Sequence, residues 1–196
     1  MTTIVAVQYK DSCVIGADNQ VTDDSGRIYR HKDMQKISER GAFLIAGSGE
    51  VLPCDIAQHH WKPPTPTATD KKDIYHFVIT KAIPSLRECL KANGYNFDEG
   101  SDDKKELRFH FIIAVGGELF DVSDDLSVCR SETGFYGVGN GAAYALGALH
   151  AGASILQALE IASDLDVYTS GPFTEIKDRK STRLNSSHTD ISRMPS

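Results

Sequence analysis

Long apolar runs are missing from this chain of 196 residues. Nothing in it approaches the roughly 18 consecutive apolar positions that a bilayer-spanning helix needs. Basic charge is scarce: 21 Lys and Arg stand against 27 Asp and Glu, a formal charge of −6. That balance argues against nucleic acid or an anionic membrane surface as a partner, since both select basic patches. Cysteine is sparse and unpatterned. Cys13, Cys54, Cys89 and Cys129 show no CxxC and no Cys/His spacing. Neither a zinc site nor a disulfide framework is expected, no cofactor is expected, and all four thiols read as small buried hydrophobes. The opening MTTIVAV lacks the basic start and small-residue cleavage site of a secretory signal, so the expected compartment is the cytoplasm. There is no internal repeat.

What remains is an ordinary globular composition, 40% hydrophobic and 24% charged, sized for one domain. The last nineteen residues stand apart. Residues 178–196, DRKSTRLNSSHTDISRMPS, have no periodicity and little apolar content, which reads as a disordered tail. DRKSTRLNSSH also corresponds codon by codon to a common sequencing-adapter string, and SRMPS to its continuation. The expectation is therefore a single domain over 1–177 and an artefactual tail. Leaving out Arg179, Lys180, Arg183 and Arg193 with Asp178 and Asp190 moves the formal charge from −6 to −8.

Along the body, Thr2–Gln8 and Ser12–Ala17 predict a hairpin turning at Tyr9-Lys10-Asp11, and Asp23-Asp24-Ser25-Gly26 predicts another turn. Gln35–Ser38 and Ala42–Ala46 predict strands. Residues 48–61 predict a helix with Pro53 in its first turn. KPPTPTAT (62–69) is a loop. Asp70 is the expected N-cap of a helix over 71–92, kinked at Pro84 and stopped by Asn93-Gly94. Residues 95–106 form an acidic loop. Phe109–Val115 and Glu118–Val122 predict a hairpin across Gly116-Gly117. Strands near 127–130 and 135–138 follow, then helices over 139–150 and 154–163, then strands over Asp166–Ser170 and Pro172–Ile176. Strands and helices are segregated, which implies α+β with two sheets face to face and helices outside.

The chemistry begins at Thr2. A small residue at position 2 permits removal of Met1, which leaves a hydroxyl and a free α-amine on one residue. An amine that titrates at about 7.7–8.0 can serve as base for its own hydroxyl. Asp18, ending the second strand, is placed to orient a neighbour. Lys36, starting a strand, is placed to supply positive charge. Gly47, in the turn AGSGE, is placed to offer a backbone N–H to an oxyanion. Each has a plainer reading: turn carboxylate, surface lysine, turn glycine. His59-His60-Trp61 is a poor metal site, because adjacent helical residues point about 100° apart. Gly139-Asn140-Gly141 before a helix is only a weak anion-site signal.

Met1-Thr2-Thr3-Ile4-Val5, Gly16-Ala17-Asp18, Gln35-Lys36-Ile37, Ala46-Gly47-Ser48-Gly49 and Gly137-Val138-Gly139-Asn140-Gly141 occur in order and together resemble the proteasome β-subunit superfamily, more narrowly the HslV-like peptidases. The likeness extends through Tyr144–Leu149 and through 161–169 with 173–176. It implies a four-layer αββα sandwich and an N-terminal nucleophile hydrolase, a threonine-type endopeptidase. Thr2 would be nucleophile and base, Lys36 and Asp18 its tuning pair, and Gly47 the oxyanion donor. Asn140 would stand where the family has a serine, Asp164 would support the threonine, and Ile45 would lie where the family shapes its substrate pocket. The resemblance also implies unfolded protein or peptide substrates, a homo-oligomeric ring, and an ATP-dependent unfoldase ring as candidate partner. Two alternatives stay open: a catalytically silent ring or scaffold homologue, and an N-terminal nucleophile amidase acting on small amides.

Overall fold

Residues 2–22, 25–29, 35–97 and 108–180 are described by a computed structural model of the chain. Two antiparallel sheets organise them. Strand β1 (Thr3–Gln8) turns back into β2 (Ser12–Ala17), the turn closed by Tyr9 N–H donating to Ser12 O at 2.8 Å. A short ribbon follows, β3 (Val21–Thr22) against β4 (Ile28–Tyr29). The second sheet holds β5 (Ile37–Arg40), β6 (Phe43–Gly49), β7 (Phe109–Val115), β8 (Glu118–Val122) and β9 (Val128–Cys129) in that order. Between β7 and β8 the chain reverses on Gly116 and Gly117, with φ of 63° and 79°, a two-residue turn that needs both glycines. Strand β10 (Phe135–Gly139) then joins the other edge of β1, and β11 (Thr174–Arg179) joins β2.

Alternation of side chains across the strands creates three apolar interfaces. Ile4, Ala6 and Ile15 of the first sheet meet Leu44, Ala46, Ile112 and Ala114 of the second. The outer face of the second sheet, with Phe43, Phe111, Phe120 and Val122, packs against helices α1 (Val51–Asp55), α2 (Ile74–Phe77) and α3 (Ile83–Ala92). The outer face of the first, Val5, Val7 and Val14, packs against α4 (Ala142–His150) and α5 (Ile155–Leu165). The chain is thus α+β with face-to-face sheets. Gly16 is required where α5 crosses β2, since a Cβ there would stand 2.2 Å from Ile155 Cγ2. Helix α5 starts on a capping box, Ser154 with Gln157. Among the described residues no helix is long and apolar enough to cross a membrane.

Several expectations change. The cap of the 74–92 helical segment is Asp73, whose side chain accepts from His76 N at 3.0 Å. Asp70 instead accepts from Thr67 and Lys81 in the preceding turn. Pro84 follows a wide π-helical turn over Val78–Ala82, the kind of turn that takes up a missing backbone donor. Residues Asp166–Ser170 make no strand. The Asp166 carboxylate accepts from Tyr168 N and Thr169 Oγ1, so a side chain satisfies the backbone there in place of a ladder. Cys13 and Cys54 are buried as expected of small hydrophobes, but Cys89 is half-buried and Cys129 exposed. Trp61 is a core anchor beside Phe43, while His59 and His60 are exposed. The acidic loop lies mostly outside the described residues, as do Asp23 and Asp24 of the early turn and residues 181–196.

The last strand runs past Lys177. Asp178 pairs with Cys13 and Arg179 with Ser12, Gly117 N–H donates to Asp178 Oδ2 at 2.7 Å, and Lys180 N–H donates to Asp11 O at 3.0 Å. The structured body therefore includes three residues of the expected tail. A chain ending at Lys177 is expected to be less stable in urea than one ending at Lys180, by about 1–3 kcal/mol, the worth of two or three lost hydrogen bonds. Equal midpoints and slopes for the two chains would place the boundary back at Lys177.

Candidate active site

The end of β2 meets the start of β1 at Asp18. Its Oδ1 accepts Thr3 N–H at 2.8 Å and Lys36 Nζ at 2.6 Å; its Oδ2 accepts Gln20 N–H at 3.0 Å. Lys36 Nζ also donates to Gln20 O at 2.5 Å. Both side chains are almost wholly buried. A carboxylate at 2% exposure is tolerable only because every lone-pair direction in use has a donor. Burial pushes the Lys36 pKa below the ordinary lysine value, with the Asp18 charge opposing that shift. Of the expected residues, Asp18 and Lys36 are thus brought into direct contact, one residue from Thr2.

Thr2 itself is buried and held by backbone. Its carbonyl accepts Asn140 N–H at 2.9 Å, and Thr3 lies opposite Gly139 in the β1–β10 register. Gly139 has φ of 93°, and a Cβ built there would stand 1.9 Å from Thr2 O, so only glycine lets this turn close over the threonine. Asn140 is near Thr2 through its backbone, with its side chain exposed. Gly47 lies in β6 opposite Phe111. A Cβ at Gly47 would meet Cys54 Sγ at 2.7 Å and the Phe111 ring at 2.9 Å, so the missing side chain lets α1 close onto the sheet. Ile45 is fully buried in the helix-side core below it.

Asp164 is not brought to this cluster; it is exposed on α5. Asp166, two residues on, reaches it instead. Thr169 Oγ1 donates to Asp166 Oδ2 at 2.5 Å. Thr3 Oγ1 stands 2.6 Å from Thr169 Oγ1, and Gly141 N–H donates to Thr3 Oγ1 at 2.9 Å. Since the one Thr169 proton goes to the carboxylate, Thr3 must donate to Thr169. The chain then has one direction: Gly141 N–H to Thr3, Thr3 to Thr169, Thr169 to Asp166. Each link polarises the next. It ties the β10–α4 turn, the first strand and the α5–β11 loop to one another, and it occupies the Gly141 N–H that an anion would need. Thr3, Gln20, Gly141, Asp166 and Thr169 are the residues sequence reasoning missed. The signal available was an Asp-x-x-Thr after a helix, an Asx-turn pattern.

No protein-family model matches the chain, and no curated protein matches it in sequence. Solved structures do match in shape. BPH of Thiobacillus denitrificans aligns with a TM-score of 0.66 at 22% identity, covering 93% of this chain and 100% of that one. The same protein in complex with epoxomicin gives 0.66 at 20%, covering 92% and 100%. Eukaryotic HslV from Trypanosoma brucei gives 0.62 at 18%, covering 90% and 98%. The chain has the fold shared by these proteins.

The Asp18–Lys36 pair has a measurable consequence. The folded-state pKa of Lys36 is lowered, so below about pH 10.4 and above that lowered value the unfolded chain binds more protons. Lys36 therefore makes stability rise with pH across that window. Lys36→Met strands a buried carboxylate and is expected to cost about 3–5 kcal/mol in urea unfolding at pH 7. That substitution also removes the Lys36 pH slope in the window, and adding Asp18→Asn is expected to recover much of the lost stability. A double variant no more stable than Lys36→Met would show that Asp18 does not depend on Lys36 for its burial.

Proposed function

We propose that this chain is a threonine-type endopeptidase in which Thr2, freed by removal of Met1, is the nucleophile. The observation that carries the reading is the buried Asp18–Lys36 ion pair bonded to Thr3 N at the residue after Thr2. Two of the three Lys36 ammonium protons have acceptors, Asp18 Oδ1 and Gln20 O. In this reading the third serves Thr2 Oγ1 and lowers the cost of developing negative charge on it. The α-amine takes the hydroxyl proton as Oγ1 attacks a peptide carbonyl carbon. Gly47 N–H steadies the oxyanion. The C–N bond breaks as the amine returns that proton to the leaving nitrogen, leaving an ester on Thr2. Water then adds to the ester carbon, its proton passes through the amine to Oγ1, and the C–O bond breaks.

The fold shared with an epoxomicin-bound protein supports this reading. The three apolar interfaces support describing the body as a four-layer αββα sandwich. Unfolded proteins or peptides as substrates, a homo-oligomeric ring, an ATP-dependent unfoldase ring as partner and a cytoplasmic location belong to the same proposal. Asn140 in place of a serine is the one feature that favours a silent scaffold homologue. In place of Asp164, Asp166 is the carboxylate we assign to supporting the threonine strand.

The test is covalent labelling. Protein with Met1 removed, verified by intact mass, is treated with a peptide epoxyketone. One adduct, mapped to Thr2, is expected. Thr2→Ala should abolish it, and Lys36→Ala should slow it by at least about a hundredfold. Unlabelled, correctly processed and assembled protein would favour the scaffold.

A further inference from the structure

Strand β5 is an edge of the second sheet, and one helical turn is fastened along it by polar bonds. Residues Ile56–His60 continue α1 as a π-helical turn, closed by Trp61 N–H donating to Ile56 O at 3.2 Å. Such wide turns occur frequently at functional sites. Ile56, Ala57 and Trp61 are buried in the helix-side core, which fixes the turn in place. Gln58 lies between them at 9% exposure. Its Nε2 donates to Lys36 O at 3.2 Å, and its Oε1 accepts Ser38 Oγ at 3.4 Å. Two residues further along β5, Arg40 Nε donates to Trp61 O and Arg40 Nη2 to His59 O, each at 3.0 Å. A backbone carbonyl can only accept, so the Lys36 bond fixes which way the Gln58 amide points.

The bond to Lys36 falls where the β5–β6 ladder stops. That ladder pairs Arg40 with Phe43, Ser38 with Ile45 and Ile37 with Ala46. One further step would set Lys36 opposite Gly47. Hydrogen-bonding directions alternate along an antiparallel strand. Glu50 N–H donates to Arg108 O, in the register of β6 with β7, so the even-numbered residues of β6 turn their N–H toward β7. The odd-numbered ones, Gly47 among them, turn theirs toward the β5 side. Gly47 N–H is thus aimed at the edge where Lys36 O would receive it in a longer ladder. No bond between the two is formed among the described residues, and Lys36 O is held by Gln58. The other end of the same lysine is held by Asp18 Oδ1 and Gln20 O.

We propose that Gln58 is a positioning residue for the Thr2 site: by holding the Lys36 carbonyl it ends the β5–β6 ladder one residue short and keeps Gly47 N–H for the oxyanion. The inference rests on Thr2 being the nucleophile and Gly47 the oxyanion donor. Gln58 touches neither and acts through the Lys36 backbone. With its donor removed, the Lys36 carbonyl turns to the N–H opposite, the ladder gains one pair, and the reaction loses a donor while the fold is kept. An oxyanion donor acts on the transition state, so its loss slows bond formation without weakening ground-state binding.

The experiment separates kinact from KI for a peptide epoxyketone at Thr2, since attack on the ketone develops the same oxyanion. It compares the wild type, Gln58→Met, Gln58→Glu and Arg40→Met, with urea unfolding of each. Gln58→Met keeps the volume and removes the donor; kinact should fall by at least about tenfold with KI unchanged. Arg40→Met loosens the same turn without touching Lys36 O; its urea midpoint should fall while kinact stays at the wild-type value. If the wild type labels but Gln58→Met keeps its kinact, or loses only in KI, Gln58 has no such role and the nucleophile stands. An equal kinact loss in Arg40→Met would trace the effect to docking of the turn as a whole and overturn the assignment to Gln58. Should Gln58→Met not fold, Gln58→Glu decides, since its carboxylate still accepts from Ser38 but has nothing to donate to Lys36 O. If processed wild type does not label, the nucleophile is wrong and the role of Gln58 falls with it.

Discussion

The Asp18 carboxylate is the constraint on which the rest depends. Removing it from water is unfavourable by several kcal/mol unless donors replace the water. The donors it collects come from three places: the backbone of Thr3, the backbone of Gln20 and the Lys36 ammonium. Satisfying one buried charge therefore fixes the start of β1, the exit of β2 and the entry to β5 relative to one another. The first strand begins at Thr3 because the residue before it is already pinned on both sides, by Asp18 through Thr3 N and by the Gly139-Asn140 turn through Thr2 O. The segment ahead of β1 is thereby made part of the core.

Glycine does the complementary work. Gly16, Gly47, Gly139 and Gly141 each stand where a Cβ would collide with a neighbouring element. Gly16 admits α5, Gly47 admits Cys54 of α1, and Gly139 and Gly141 admit Thr2 and Thr3. The polar groups around Thr2 are consequently presented by elements that touch through backbone, which leaves little freedom for their spacing to drift. Side-chain entropy is not the main loss at such contacts, since the partners have little of it to lose.

The sequence made the sheets legible because they are written in local terms: alternating apolar runs, a two-glycine hairpin, and proline-rich or Asn-Gly stops. It placed Asp18, Lys36, Gly47 and Thr2 as candidates, and the structure joins the first two directly while leaving Gly47 in the strand that faces Phe111. What was not legible depends on partners distant in the chain. Asp164 and Asp166 are both acidic and both near the end of α5, and the one local signal, Asp166-x-x-Thr169, does not by itself say which of them turns inward. The choice is made by Thr3 and Thr169, separated by 166 residues, whose hydroxyls need an acceptor at the end of their chain. Asp70 and Asp73 pose the same problem on a smaller scale: both are plausible caps, and the nearby Thr67 and Lys81 claim the first.

The two networks around Thr2 differ in what they permit. The Gly141–Thr3–Thr169–Asp166 chain has each proton assigned and ends on a carboxylate, so reversing it would place two donors or two acceptors face to face. That network can hold position but cannot move a proton. In the Asp18–Lys36 network two of the three ammonium protons have acceptors, which leaves one donor over. The division follows the sheets themselves, since Thr3 Oγ1 faces the β10–α4 turn and the α5–β11 loop while Lys36 enters from just before β5 of the second sheet.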